Sequence, residues 1–267
     1  MRNMMRLFGS LSRFISKTCA IIELEARKLR HDPTELLMRA VQPVLWLLLF
    51  GEVFTRARAI PTPNDMPYLD FMAPGILAQS VLFIAIFSGM TIIWERDLGI
   101  IHKFLASPTP RGALALGKVL SAGVRATSQA IVVYVLALIL GVRLNWNPLN
   151  LIAVLAIIVL CAATFSAFSL MIAFLTKTRE RFMGIGQVLT MPFFFASNAI
   201  YPIGIMPGWL KVIAHINPLT YAVDALRALM LEGGVSSFGL GIDFGVLVLA
   251  TAVLVTIDGM LYPRAAT

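Results

Sequence analysis

The sequence predicts an all-α polytopic membrane protein with six transmembrane helices, an N-terminal interfacial helix and outer re-entrant helices between spans five and six. Three observations lead there. Of 267 residues, 58% are hydrophobic and only 13% charged, with a mean hydropathy of +0.84. Soluble domains carry about 25% charged residues, so this chain has too little charge to cover a soluble surface. Uncharged stretches run from Phe71 to Trp94 (24 residues), Leu144 to Thr176 (33) and Phe182 to Leu210 (29). Each exceeds the roughly 20 residues that cross a 30 Å hydrocarbon core at 1.5 Å per residue. Finally, the 22 Lys and Arg residues divide 17 to 5 between alternate loops.

The spans follow in order. The first covers about 36–54, with Arg39 near one end and Pro43 inside, where the missing N–H predicts a kink. The second covers about 72–94 and closes on Trp94; the third is about 119–141 and the fourth about 149–175. A fifth starts near 184 and is interrupted at Pro192, Pro202 and Pro207. The last, about 242–262, is flanked by Asp243 and Asp258. By the positive-inside bias both termini and the 95–118 loop are cytoplasmic. Residues 1–35 then form a cytoplasmic interfacial segment and 36–267 the six-span domain.

The leader interleaves Leu7, Leu11, Phe14 and Ile15 with basic residues, as in a helix lying among anionic headgroups. The alternative is a loose basic leader that only sets topology. No uninterrupted apolar core of signal-peptide type precedes the spans, so no cleaved signal is expected. Cys19 and Cys161 have no motif partners, and His31, His102 and His215 lie far apart, so neither a disulfide framework nor a metal site is expected. Gly112 to Lys118 matches most of a phosphate-binding loop but is followed by Val119, without the hydroxyl that holds magnesium and without a preceding strand. The run reads as small-residue packing where a helix enters the membrane, with Lys118 at the interface.

The 95–118 loop is the most informative cytoplasmic piece. Glu95 and Asp97 suit the positive end of a short helix, and Ile100, Ile101, Phe104 and Leu105 supply an apolar stripe. Pro108 and Pro110 then stop it. Such a helix can dock a partner, or it is an ordinary amphipathic connector. Between spans five and six the chain stays apolar though broken by prolines, which fits short helices dipping into the outer leaflet. Leu219–Leu231 reads as one of them, capped by Asn217, with Asp224 and Arg227 paired on one face. Simple packing of the span end is the alternative. Glu52 and Tyr201 are candidates for an outer gate or pathway. Arg125 is placed to snorkel to the inner interface. Gly204/Gly208 and Gly241/Gly245 have the spacing of close helix contacts.

FMAPGILAQSVLF at 71–83, WERDLGIIHKFLASPTPRGALALGK at 94–118 and NPLTYAVDALR at 217–227 together resemble the permease subunit of type-2 ABC exporters. The likeness is to bacterial daunorubicin-type drug-resistance permeases and nodulation-factor export permeases, and it covers nearly the whole chain. It implies an assembly of two permeases, identical or related, with two ATPase subunits in a bacterial cell membrane. Glu95, Arg96, Asp97, Leu98, Gly99, Ile100, Lys103, Phe104 and Leu105 map onto a coupling helix that sits in a groove of the ATPase. This chain would bind no cofactor and catalyse nothing, ATP and magnesium belonging to the separate ATPase. The implied cargo is amphipathic and drug-like or lipid-linked, with a polysaccharide or lipo-oligosaccharide as the alternative; nucleic acid is not a partner. A non-transporting membrane scaffold is the reading from a different functional class.

Overall fold

The computed structural model describes residues 41–57, 60–63, 66–98, 111–176 and 178–261, the side chains of 111–115 excepted. Expectations for the leader 1–35, for Gly99, Ile100, Lys103, Phe104 and Leu105 and for the tail lie outside these residues. The described chain is helical throughout, with a single isolated β-bridge between Leu144 and Leu231.

Helix α1 covers 41–57 and contains a π turn at Trp46–Gly51 followed by Glu52–Ala57. The backbone stays helical around Pro43, so the expected disturbance falls one turn later. Gly51 closes the π turn where a Cβ would meet the Leu69 side chain at 2.5 Å. Helices α2 (Tyr68–Ser88) and α3 (Met90–Asp97) run almost continuously through Gly89, whose backbone is itself right-handed helical. Helix α4 (Arg111–Ile139) starts eight residues before the expected span, so the Gly112–Lys118 run is helical and not a loop.

Helix α5 (Pro148–Leu175) opens on Asn147, whose Oδ1 accepts from the Leu149 N–H at 3.0 Å, satisfying one of the free donors of a helix start. Helix α6 (Arg179–Phe195) carries Pro192 inside it, which corrects the expected break at that proline. The helix stops instead after Phe195, where Asn217 Nδ2 donates to the carbonyls of Phe193 (2.7 Å) and Ala196 (3.3 Å). Those carbonyls therefore need no further helical turn.

A 3-10 turn at Ile203–Ile205 leads into α7 (Gly208–Ile216), α8 (Pro218–Met230) and α9 (Leu240–Leu261). The helix expected at Leu219–Leu231 is α8, with Asn217 capping it through the Leu219 N–H. Among the described residues four segments are long and apolar enough to cross a membrane: Tyr68–Asp97, Leu116–Ile139, Pro148–Leu175 and Leu240–Leu261. The described parts of the first and fifth expected spans, α1 and α6, are shorter.

Helices α2 and α5 occupy the middle. Nearly every residue of α2 from Tyr68 to Ile86 is buried, as expected of a helix apolar all round. Gly75 permits this: a Cβ there would lie 2.5–2.9 Å from the Ala199 backbone. Short polar side chains join the helices: Ser88 and Ser166 hydroxyls meet at 2.8 Å, as do Thr164 and Thr251. Among the described residues nothing comes close to the glycines at 204, 208, 241 and 245, so their spacing marks no close contact there.

The exterior is apolar. Leu45, Leu48, Leu49 and Val53 of α1 and Met183, Val188, Met191 and Phe195 of α6 are all exposed. These two helices meet through Trp46, whose ring lies 5.7 Å from Phe194 and 6.5 Å from Phe195.

Candidate coupling site

Residues 94–98 close the long α2–α3 segment, and side chains or backbone from three neighbouring helices converge on them. Glu95 pairs with Lys118 of α4, both side chains largely shielded at 18% and 15% exposure. Arg96 Nη1 donates to the Thr176 carbonyl, at the end of α5, at 3.0 Å. Asp97 takes a forked pair from Arg179, at the start of α6, with Nη2 at 2.6 Å and Nε at 3.0 Å. The same guanidinium lies 5.7 Å from the centre of the Trp94 ring. Leu98 is exposed and closes the helix by donating its N–H to Trp94 O at 3.0 Å.

This geometry corrects one expectation. Glu95 and Asp97 stand in the last turn of α3, not at the start of a new helix. The carboxylates therefore lie at the negative end of the helix dipole, which disfavours them. Lys118 and Arg179 supply the missing positive charge. Sequence reasoning placed Lys118 at the interface and counted Arg179 only for topology. The available signal was opposite charge at the ends of spans that share one side of the membrane.

The other two candidates stand apart. Glu52 is exposed and makes an i,i+4 pair with Arg56 at 3.5 Å. Tyr201 turns back so that its hydroxyl donates to the Phe195 carbonyl at 2.5 Å, capping α6. His215 of α7 bonds the Lys211 carbonyl oxygen at 2.6 Å. Cys161 is fully buried and free, whereas Cys19 lies outside the described residues.

A second polar cluster lies at the opposite end of the helices, where the expected Asp224–Arg227 pair is not formed. Asp224 instead accepts from the Ser237 N–H (2.7 Å), the Phe238 N–H (3.1 Å) and the Ser236 hydroxyl (2.9 Å). Arg227 is buried over the Phe71 ring at 3.9 Å and donates to the carbonyls of Phe71 (3.3 Å) and Asn198 (2.7 Å). Burial pulls its guanidinium down to about 10, while the charge of Asp224 acts in the opposite sense. Backbone acceptors in the turn at 198 and in α2 outcompete the i,i+3 pairing because they lie directly across the packing interface. Nearby, Asp70 is paired with Arg143 at 3.2 Å, and the Asn145 N–H donates to Met230 O at 2.8 Å.

The family profile described as ABC-2 type transporter matches residues 16–231. Among relatives, ycf38 of Cyanophora paradoxa, named as a transport permease, is 28% identical over 81% of this chain and 74% of its own length. The daunorubicin resistance ABC transporter permease protein DrrB1 of Streptomyces coeruleorubidus is 26% identical over 88% of this chain and 80% of its own. Nodulation protein J of Rhizobium meliloti is 24% identical over 73% and 74%. With a matched region that includes the whole Glu95–Asp97 anchor and its partners, the chain belongs to the ABC-2 type transporter family of membrane permeases.

Proposed function

We propose that this chain is the permease subunit of an ATP-driven exporter and that a separate ATPase drives it through the loop rooted at Glu95. The anchoring of that root carries the reading. Displacement of the loop acts on Glu95, Arg96 and Asp97 and so passes at once to α4, to the end of α5 and to the start of α6. The 99–110 segment supplies the docking surface, with Phe104 and Leu105 as apolar contacts and charges fixing orientation. ATP and magnesium sit in the partner, and no side chain of this chain performs phosphate chemistry. Two ATPase copies and a second permease complete the assembly. The exposed apolar faces of α1 and α6 suit that second permease, and Glu52 and Tyr201 lie at the outer end of its shared path.

The cargo is an amphipathic, drug-like or lipid-linked compound. The daunorubicin-resistance relative favours the first, and a polysaccharide or lipo-oligosaccharide is the alternative cargo. The chain resides in a bacterial cell membrane with both termini cytoplasmic, and 202–241 on the outer side, α7 and α8 dipping into the outer leaflet. The test is cargo transport and ATP hydrolysis in vesicles reconstituted with the ATPase, at matched insertion and complex recovery. Phe104→Ala is expected to weaken ATPase binding and transport per ATP without loss of insertion. Normal values for Phe104→Ala, Glu95→Gln and their double variant would remove this loop as the coupling element. ATPase activity indifferent to every member of a broad amphipathic panel would favour the scaffold reading.

A further inference from the structure

The loop 231–239 joins α8 to α9 and places two carboxyl groups on one hydroxyl. Ser236 Oγ lies 2.9 Å from Asp224 Oδ2 and 2.8 Å from Asp243 Oδ2, and it also accepts the Gly239 N–H at 2.7 Å. A serine hydroxyl has one hydrogen. It can satisfy one of the two carboxyl oxygens, and the other contact would set lone pair against lone pair if both acids were ionised. One further proton is needed for the geometry to hold.

The surroundings say where it sits. Asp224 Oδ2 already receives two backbone N–H groups, and Arg227 lies one turn along the same helix. Asp243 is wholly buried, and its Oδ1 has no hydrogen-bond partner among the described residues. Those N–H groups favour the charge on Asp224, whereas no cation pairs with Asp243 among the described residues, so a charged Asp243 would be a buried charge without a counterion, which is costly. Donation from Asp243 to Ser236 and from Ser236 to Asp224 uses every hydrogen and leaves the serine with its two acceptor sites filled.

We infer that Asp243, Ser236 and Asp224 form a proton-held latch, in which a neutral Asp243 carboxyl fastens the start of α9 to α8 through the serine. Loss of the proton leaves two buried carboxylates against one hydroxyl, and the loop must open to admit water. Gly239 lets the chain turn at this point, with φ at +93°.

Other ionisable groups surround the latch. Helix α8 contributes Tyr221 as well as Asp224 and Arg227, and the loop contributes exposed Glu232. From α7, which also carries Lys211, the His215 ring packs edge-on against Phe238 at 5.5 Å. Helix α5 has no ionisable side chain except Cys161. Helix α4 brings Tyr134 toward this end and Lys118 and Arg125 toward the other, where α9 also carries Asp258. In α2 the acid at this end, Asp70, is paired with Arg143. His215 is therefore the rival source of any pH response.

The test is thermal unfolding of the full chain in lipid nanodiscs, followed by tryptophan fluorescence from mildly acidic to mildly alkaline pH. The wild type is expected to lose melting temperature as pH rises. Asp243→Asn, which keeps a donor for Ser236, is expected to lose that slope, and His215→Gln to keep it. A flat wild-type profile, an unchanged slope in Asp243→Asn, or a slope abolished by His215→Gln overturns the latch. Should Asp243→Asn fail to fold, infrared spectra of the wild type and Asp258→Asn decide. A protonated-carboxyl band that survives Asp258→Asn and fades as pH rises is expected, and its absence at mildly acidic pH overturns the inference.

Discussion

Replacing Lys118 by Met keeps an unbranched apolar stem of similar reach and removes the ammonium with its charge and donors. Glu95 then remains at 18% exposure in the last turn of α3, where the helix dipole opposes it, and its Oε2 already lacks a hydrogen-bond partner among the described residues. Removing one member of a fully buried pair costs about 3–5 kcal/mol, and the residual exposure of this pair lowers the expectation to about 2 kcal/mol. Glu95→Gln in the same background removes the stranded charge and should recover most of that loss. The assay is a double-mutant cycle on denaturant unfolding in nanodiscs, alongside transport per ATP in the reconstituted complex. A coupling energy above about 1 kcal/mol is expected, with transport per ATP reduced in Lys118→Met. Additive single effects combined with unchanged transport would refute the reasoning, because the pair would then carry neither stability nor displacement.

Three further outcomes follow from the geometry. Arg227→Lys cannot reach both the Phe71 and Asn198 carbonyls from one nitrogen, so it should lower the unfolding free energy by about 2–3 kcal/mol more than a surface Arg→Lys change does, measured in the same nanodiscs. Gly75→Ala drives a methyl into the Ala199 backbone and should destabilise by about 1–3 kcal/mol, whereas Gly204→Ala, facing open space, should leave the melting temperature unchanged. Single-cysteine labelling on a background without Cys19 and Cys161 should modify a Ser237→Cys site from the outer medium and an Arg179→Cys site only from the inner. The reverse pattern inverts the topology.

How much of this was legible beforehand follows from the kind of signal involved. Composition and uncharged run length determined the helical, membrane-crossing class, because a bilayer demands long apolar helices wherever the chain crosses it. The fourth span and the Asn217-capped helix were nearly correct, since Asn-Pro starts act through neighbouring residues alone. Helix ends governed by distant contacts were not. Pro192 reads as a break because its missing N–H is a local fact, yet α6 ends where the Asn217 side chain, from a later segment, takes its last carbonyls. The spacing of Asp224 and Arg227 predicts a pair on one helical face. Only the fold brings the Phe71 and Asn198 carbonyls and the 236–238 loop close enough to claim them separately. Likewise the sequence, with its family resemblance, points to Glu95–Leu105 as the coupling segment, while the tertiary structure decided that Lys118, Thr176 and Arg179 hold its root at Glu95–Asp97. Hydrogen bonds and ion pairs act over a few ångströms in space, and these partners are 23, 80 and 82 residues away along the chain.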